Sequence, residues 1–180
     1  MARQGRPPPP AGVCREAWLP GARITVGVGD LAISKDQGQE IVTHSLGSCL
    51  GVAIYDPLAR VGGLLHLMLP DSNLNLERAR RQPAVFADTG LPLLFKNAYA
   101  MGALKNRLRV VVVGGSQVMD ESGRFNIGSR NYAAVRKIFW RNNVLIDVED
   151  VGGQVNRTIG LEIASGRVWM KVNAGEVRTL

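Results

Sequence analysis

Histidine and cysteine are scarce in this 180-residue chain, two of each, and the scarcity excludes several kinds of protein. Cys14 and Cys49 are too few for a disulfide framework, and neither has a second cysteine at metal-ligand spacing. His44 lies five residues before Cys49, but two further ligands are missing, so no metal site is expected. No apolar run approaches the roughly 20 residues that cross a bilayer. The longest, Leu64 to Leu69 and Val110 to Val113, have the length of buried strands, so no membrane insertion is expected. Arg3 and Arg6 are followed by Pro7 to Pro10 where a secretory signal would place its apolar segment, which points to the cytoplasm. There is no Walker-type phosphate loop, and Gly27-Val28-Gly29 lacks the third glycine and the following helix of a dinucleotide site. No cofactor is therefore expected. Asp71, Asp120, Asp147 and Asp150 form no paired-carboxylate motif.

What is present suits one ordinary domain. Hydrophobic residues make up 46% of the chain, enough to fill a core without staples. The formal charge of +7 raises the question of a polyanionic partner. Its basic residues are spread along the chain and alternate with acids, as in Arg15-Glu16 and Lys35-Asp36, so a solvated surface is favoured over nucleic-acid binding. Residues 1–21 are rich in proline and glycine and read as a flexible leader; residues 22–180 read as a single domain.

Within that body, alternation predicts strands at 23–28, 31–33 and 39–43, then 61–69, 109–113 and 144–148. A closing hairpin is predicted from 158–163 and 167–172. Helices are predicted over 91–101, stopped by Gly102, and over 129–142, burying Tyr132, Val135, Ile138 and Phe139. The stretch from Ser72 to Gln82 reads as a loop or a short exposed helix. Leu50 to Tyr55 fits either a strand or the first turns of a helix capped by Ser48, and the choice matters chemically. A helix N-terminus beside Cys49 would favour its thiolate. Strands and helices mix without strict alternation, which predicts an α+β, mixed α/β chain rather than a doubly wound sheet.

Cys49 closes the run Thr43-His44-Ser45-Leu46-Gly47-Ser48-Cys49, seventeen residues ahead of His66. An imidazole that takes a thiol's proton makes it a nucleophile. The bland alternative is a buried cysteine acting as a small hydrophobe and a core histidine bonded to a carbonyl. Position strengthens the case for chemistry, and both readings stand. An antiparallel reversal about residues 57 to 60 would set Cys49 opposite residue 68, close to His66. The glycine pairs 62–63, 114–115 and 152–153 read as turn geometry, with room for a substrate as the other reading.

Several motifs in order carry a family resemblance: Thr43 six residues before Cys49 in Leu-Gly-Ser-Cys, Tyr55-Asp56-Pro57, and Gly62-Gly63 ahead of His66, Met68, Leu69 and Pro70. Gly114-Gly115, Asn126-Ile127-Gly128 with Arg130-Asn131, and Glu149-Asp150-Val151-Gly152-Gly153 follow. Over roughly Ile24 to Val172 the chain resembles the CheD chemotaxis proteins, the receptor glutamine deamidases. Val113 and Ser116 depart from the residues common in that family. The resemblance implies a mixed β-sandwich flanked by helices, similar to cytotoxic necrotizing factor-type cysteine deamidases. It implies catalytic roles for Cys49, His66 and Thr43, with the threonine positioning the imidazole through its hydroxyl or its backbone carbonyl. The implied activity is thiol-dependent hydrolysis of glutamine side-chain amides on the cytoplasmic domains of chemoreceptors, the methyl-accepting chemotaxis proteins, by a monomer. A CheC-type phosphatase is a further implied partner, and a non-catalytic module regulating that phosphatase is the alternative reading.

Overall fold

The computed structural model describes residues 22–117 and 126–180. Cys14, Asp120 and the expected leader lie outside them. Ten strands form two five-stranded sheets. The first sheet runs β2 (Asp30–Ser34), β5 (Val61–Leu67), β4 (Leu50–Asp56), β6 (Arg109–Gly114) and β7 (Val148–Val151). The second runs β1 (Arg23–Val26), β3 (Glu40–Leu46), β8 (Arg157–Glu162), β9 (Val168–Val172) and β10 (Val177–Thr179). Each is mixed: β1 lies parallel to β3 and β6 parallel to β7, while the other neighbours are antiparallel. The expected mixed α/β architecture is therefore present.

Side chains alternate across a strand, so each face of the first sheet buries a different set. Ala53 and Tyr55 of β4 and Leu64 of β5 meet Ile24, Ile41, Ile159 and Met170 of the second sheet, forming the core between the sheets. Leu50, Val52, Leu65, Leu67, Val110 and Val112 face the other way, onto α2 (Ala87–Ala100) and α3 (Ile127–Arg141). The short α1 (Leu76–Arg81) is capped by the Asn75 side chain and exposes most of its surface, as the polar stretch predicts. No helix among the described residues is long and apolar enough to cross a membrane.

Two sequence expectations are corrected. The strand placed at 144–148 begins only at Val148, because Leu145 points into solvent and Asp147 ties itself to the start of β6, accepting from the Val110 N–H and donating its own N–H to the Val110 carbonyl. Helix α2 starts a turn before Leu91 and runs through Pro92, whose missing N–H costs one internal bond that the packing of Leu91, Leu94 and Ala98 outweighs. Of the two readings open for Leu50 to Tyr55, the strand is the one present, with every residue buried. A segment paired on both edges, to β5 and β6, has no freedom to coil. This segment therefore offers Cys49 no helix N-terminus.

Candidate active site

The site lies where the chain leaves the second sheet and enters the first. Strand β3 carries Thr43 into the interior, then the ladder with β8 breaks its register between Thr43 and Leu46. Ser45 there adopts a left-handed φ of 57°. The irregularity puts His44 and Ser45 outside and Leu46 back inside, and the chain crosses to β4 through Gly47-Ser48-Cys49.

The reversal expected about residues 57 to 60 is present. Leu50 opposes Leu67 and Gly51 opposes His66, and Cys49 immediately precedes the end of that ladder. His66 therefore faces the space between the sheets beside a residue without a side chain. Cys49 packs against the same inter-sheet core.

Thr43 reaches across the sandwich to the histidine. Its Oγ1 lies 2.7 Å from His66 Nδ1 and donates to the Val26 carbonyl at 2.7 Å. A carbonyl only accepts, so the single hydroxyl proton points at Val26, and the threonine oxygen accepts Nδ1–H. That fixes the tautomer, leaving Nε2 with a free lone pair. Nε2 is buried and has no hydrogen-bond partner among the described residues. Between the two routes open in the sequence, the hydroxyl is the one that touches the imidazole.

Burial governs the resting charges. It pushes the His66 pKa down to about 4 and the Cys49 thiol up, the latter partly countered by the N–H of Cys49 itself. Burial thus favours the neutral form of each group. Asp30, which sequence reasoning passed over, sits directly opposite His66 on β2, and burial pushes its carboxyl up against the opposing bond from the Leu31 N–H. Only the register reveals it.

The loop carrying Cys49 is tied down at each carbonyl. Ser116 N–H donates to Gly47 at 2.8 Å, Asn131 Nδ2 to Ser48 at 2.9 Å, and Gly115 N–H to Cys49 at 2.8 Å. Behind Ser116 stands Arg157, 6% exposed, bonded to Asp150 Oδ1, Ser116 Oγ and the Gly152 carbonyl. A charged residue heading an otherwise apolar strand was the available sequence signal for it. Of the aspartates singled out in the sequence, Asp150 serves this network, and Asp147 the start of β6; neither bonds His66. Among the described residues no group of three or more metal-binding side chains converges.

A family model described as CheD, chemotactic sensory transduction, matches residues 68–172. The chain is 49% identical over 157 residues to "Probable chemoreceptor glutamine deamidase CheD 1" of Syntrophus aciditrophicus, covering 87% of this chain and 98% of the relative. It is 50% identical over 145 residues to "Probable chemoreceptor glutamine deamidase CheD 2" of Anaeromyxobacter dehalogenans, covering 81% and 91%. With "Probable chemoreceptor glutamine deamidase CheD" of Pyrococcus abyssi it shares 40% identity over 157 residues, 86% and 94% of the two chains. Among solved structures, Neisseria meningitidis protein NMB0706 aligns with a TM-score of 0.42 at 12% identity, over 76% of this chain and 63% of that one, too loose a likeness to bear on the site. Identity of this extent, running nearly the full length of relatives from bacteria and archaea, makes the chain a member of the CheD family.

Proposed function

We propose that the protein is a chemoreceptor glutamine deamidase, hydrolysing side-chain amides of receptor glutamines to glutamate and ammonia at Cys49. The observation that carries this reading is the chain Val26 carbonyl, Thr43 hydroxyl, His66 imidazole, which leaves Nε2 as a free base on the face where Cys49 packs. The names of the full-length relatives support the substrate.

The steps follow from the groups present. His66 Nε2 takes the Cys49 proton, and the sulfur attacks the carboxamide carbon. Thr43 Oγ1 accepts Nδ1–H throughout and steadies the imidazolium that forms. The tetrahedral intermediate collapses as Nε2–H protonates the amide nitrogen, releasing ammonia and leaving a thioester on Cys49. His66 then removes a proton from water, which attacks the thioester carbonyl; the proton passes to the departing sulfur, and the product is glutamate. No step calls for a cofactor. The likeness to cytotoxic necrotizing factor-type deamidases belongs to this reading, since the same thiol-imidazole chemistry would serve both. Each turnover converts a neutral side chain to an anion, a change able to bias a two-state helical bundle.

The test compares wild-type protein with Cys49→Ala on cytoplasmic fragments of chemoreceptors, scoring the mass increase of about 1 Da per amide-to-acid conversion. Conversion by the wild type alone is expected. Equal conversion by both proteins would end the thiol reading.

A further inference from the structure

Asn131, in the second turn of α3, is fully buried. Its amide nitrogen donates to two backbone carbonyls, Ser48 and Met68, each at 2.9 Å. Both partners accept only, so the NH2 group must face them and the orientation of the side chain is fixed. The other half, Oδ1, is buried with no partner among the described residues. A buried acceptor left unpaired is costly, and such groups gather where function rather than stability sets the geometry.

The two carbonyls belong to the two halves of the site. Ser48 immediately precedes the nucleophile, and Met68 lies two residues beyond His66. One nitrogen thus pins the loop of the thiol to the end of the strand that carries the base. The approach of α3 is equally constrained: Gly128 lies so close to the Gly114-Gly115 turn that a Cβ there would sit 2.2 Å from the Gly115 carbonyl oxygen.

Holding the Ser48 carbonyl has a consequence for its peptide partner. In a trans peptide the C=O of one residue and the N–H of the next point in opposite directions. Fixing the Ser48 carbonyl on Asn131 therefore aims the Cys49 N–H away from α3, and fixing Gly47 on Ser116 does the same for the Ser48 N–H. Among the described residues neither N–H meets a backbone acceptor.

We propose that Asn131 is a positioning residue of the hydrolytic site, holding the Ser48 and Met68 carbonyls so that the Cys49 N–H is preset as a donor to the oxyanion of the tetrahedral intermediate. The inference rests on the thiol-hydrolase reading above. A preset donor acts on the transition state, and losing one typically lowers kcat by about 10²–10³-fold.

Asn131→Ala separates positioning from mere support when two rates are read on the same protein. Deamidation forms an oxyanion, whereas alkylation of Cys49 by iodoacetamide displaces iodide from a saturated carbon and forms none. The expected result is a kcat for deamidation lower by about 10²–10³-fold, a KM changed by less than about threefold, and Cys49 alkylation, followed by peptide mass, unchanged within about twofold because the thiol stays in place. Deamidation and alkylation falling together would reduce Asn131 to a structural prop, and an unchanged kcat would overturn the proposal outright. Cys49→Ala run in parallel isolates failure of the underlying reading, since activity without the thiol removes both. If Asn131→Ala does not fold, wild-type protein labelled with nitrogen-15 and treated with a peptide aldehyde in place of glutamine gives the answer. A downfield shift of the Cys49 amide proton as the hemithioacetal forms, with the Asn131 side-chain NH2 protected from exchange, supports the assignment; no shift overturns it.

Discussion

Thr43 Oγ1 stands 2.7 Å from His66 Nδ1 and spends its only proton on the Val26 carbonyl, 2.7 Å away. Three strands contribute to that line, β1, β3 and β5, and it bridges the two sheets at the end of their shared core. The direction of the hydrogen bonds, rather than their number, decides which imidazole nitrogen is basic.

Thr43→Val keeps the shape and removes the oxygen. It orphans Nδ1–H and the Val26 carbonyl in a buried setting, at roughly 1–3 kcal/mol each, and releases the tautomer. Deamidation is expected to fall by about 10²-fold, with Thr43→Ser restoring most of it. Steady-state kinetics beside urea unfolding checks both effects; a fully active valine variant would refute the role of the hydroxyl.

His66 couples folding to pH. Its folded pKa of about 4 lies below the ordinary 6.5, so between those values the unfolded chain binds a proton that the folded protein refuses. The neutral imidazole's contribution is complete above pH 6.5 and is lost as pH falls toward 4, on the order of 3 kcal/mol in all. Urea midpoints between pH 7.5 and 4.5 should slope less in His66→Gln than in wild type. Parallel slopes would contradict the burial argument.

Gly114 and Gly102 form a matched pair. Both have φ above 100°, but a Cβ on Gly114 would meet the Cys49 carbonyl oxygen at 2.3 Å while one on Gly102 would meet nothing within 4 Å. Each alanine substitution should cost about 1–2 kcal/mol of backbone strain. Only Gly114→Ala is expected to lower deamidation as well, by about tenfold or more, because it displaces the loop under the nucleophile. Equal activity in the two variants would show that the turn does not position Cys49.

Asp56 anchors the far end of β4. Burial pushes its carboxyl up, but Arg107 and the N–H groups of Ala59, Leu104 and Leu58 outweigh that and hold it at about 2, below the ordinary 3.8. Its stabilisation of about 2 kcal/mol is complete above pH 3.8 and fades as pH falls through 2, a window separate from that of His66. Asp56→Asn should cost about 3 kcal/mol at pH 7 and leave kcat within about twofold. A large drop in kcat would reveal coupling along β4 that the bonding does not suggest.

The chemistry was legible in the sequence to the extent that it depended on local register. Cys49 and His66 flank a reversal marked by Asp56-Pro57, and the β4–β5 hairpin forms about it, with Gly51 opposite His66. The hairpin of β8 and β9 and the buried stripe of α3 were equally visible, because turn residues and side-chain periodicity are local properties. Residues 144–147 misled because their apolar character serves packing against helices rather than strand pairing, a distinction that only the neighbours make.

By itself the sequence determined the reactive inventory, the Cys49 thiol and the His66 imidazole on either side of one reversal, together with the family and a mixed α/β chain. Tertiary structure decided the rest. Leu50 to Asp56 is a strand because β5 and β6 flank it, so that segment presents no helix dipole to Cys49, and burial disfavours both the thiolate and the imidazolium. The tautomer of His66, the place of Asp30 and the grip of Asn131 on Ser48 and Met68 join residues 17 to 83 positions apart. Hydrogen bonds of that span carry no local pattern; they exist only once two sheets and a helix have packed around the same few atoms.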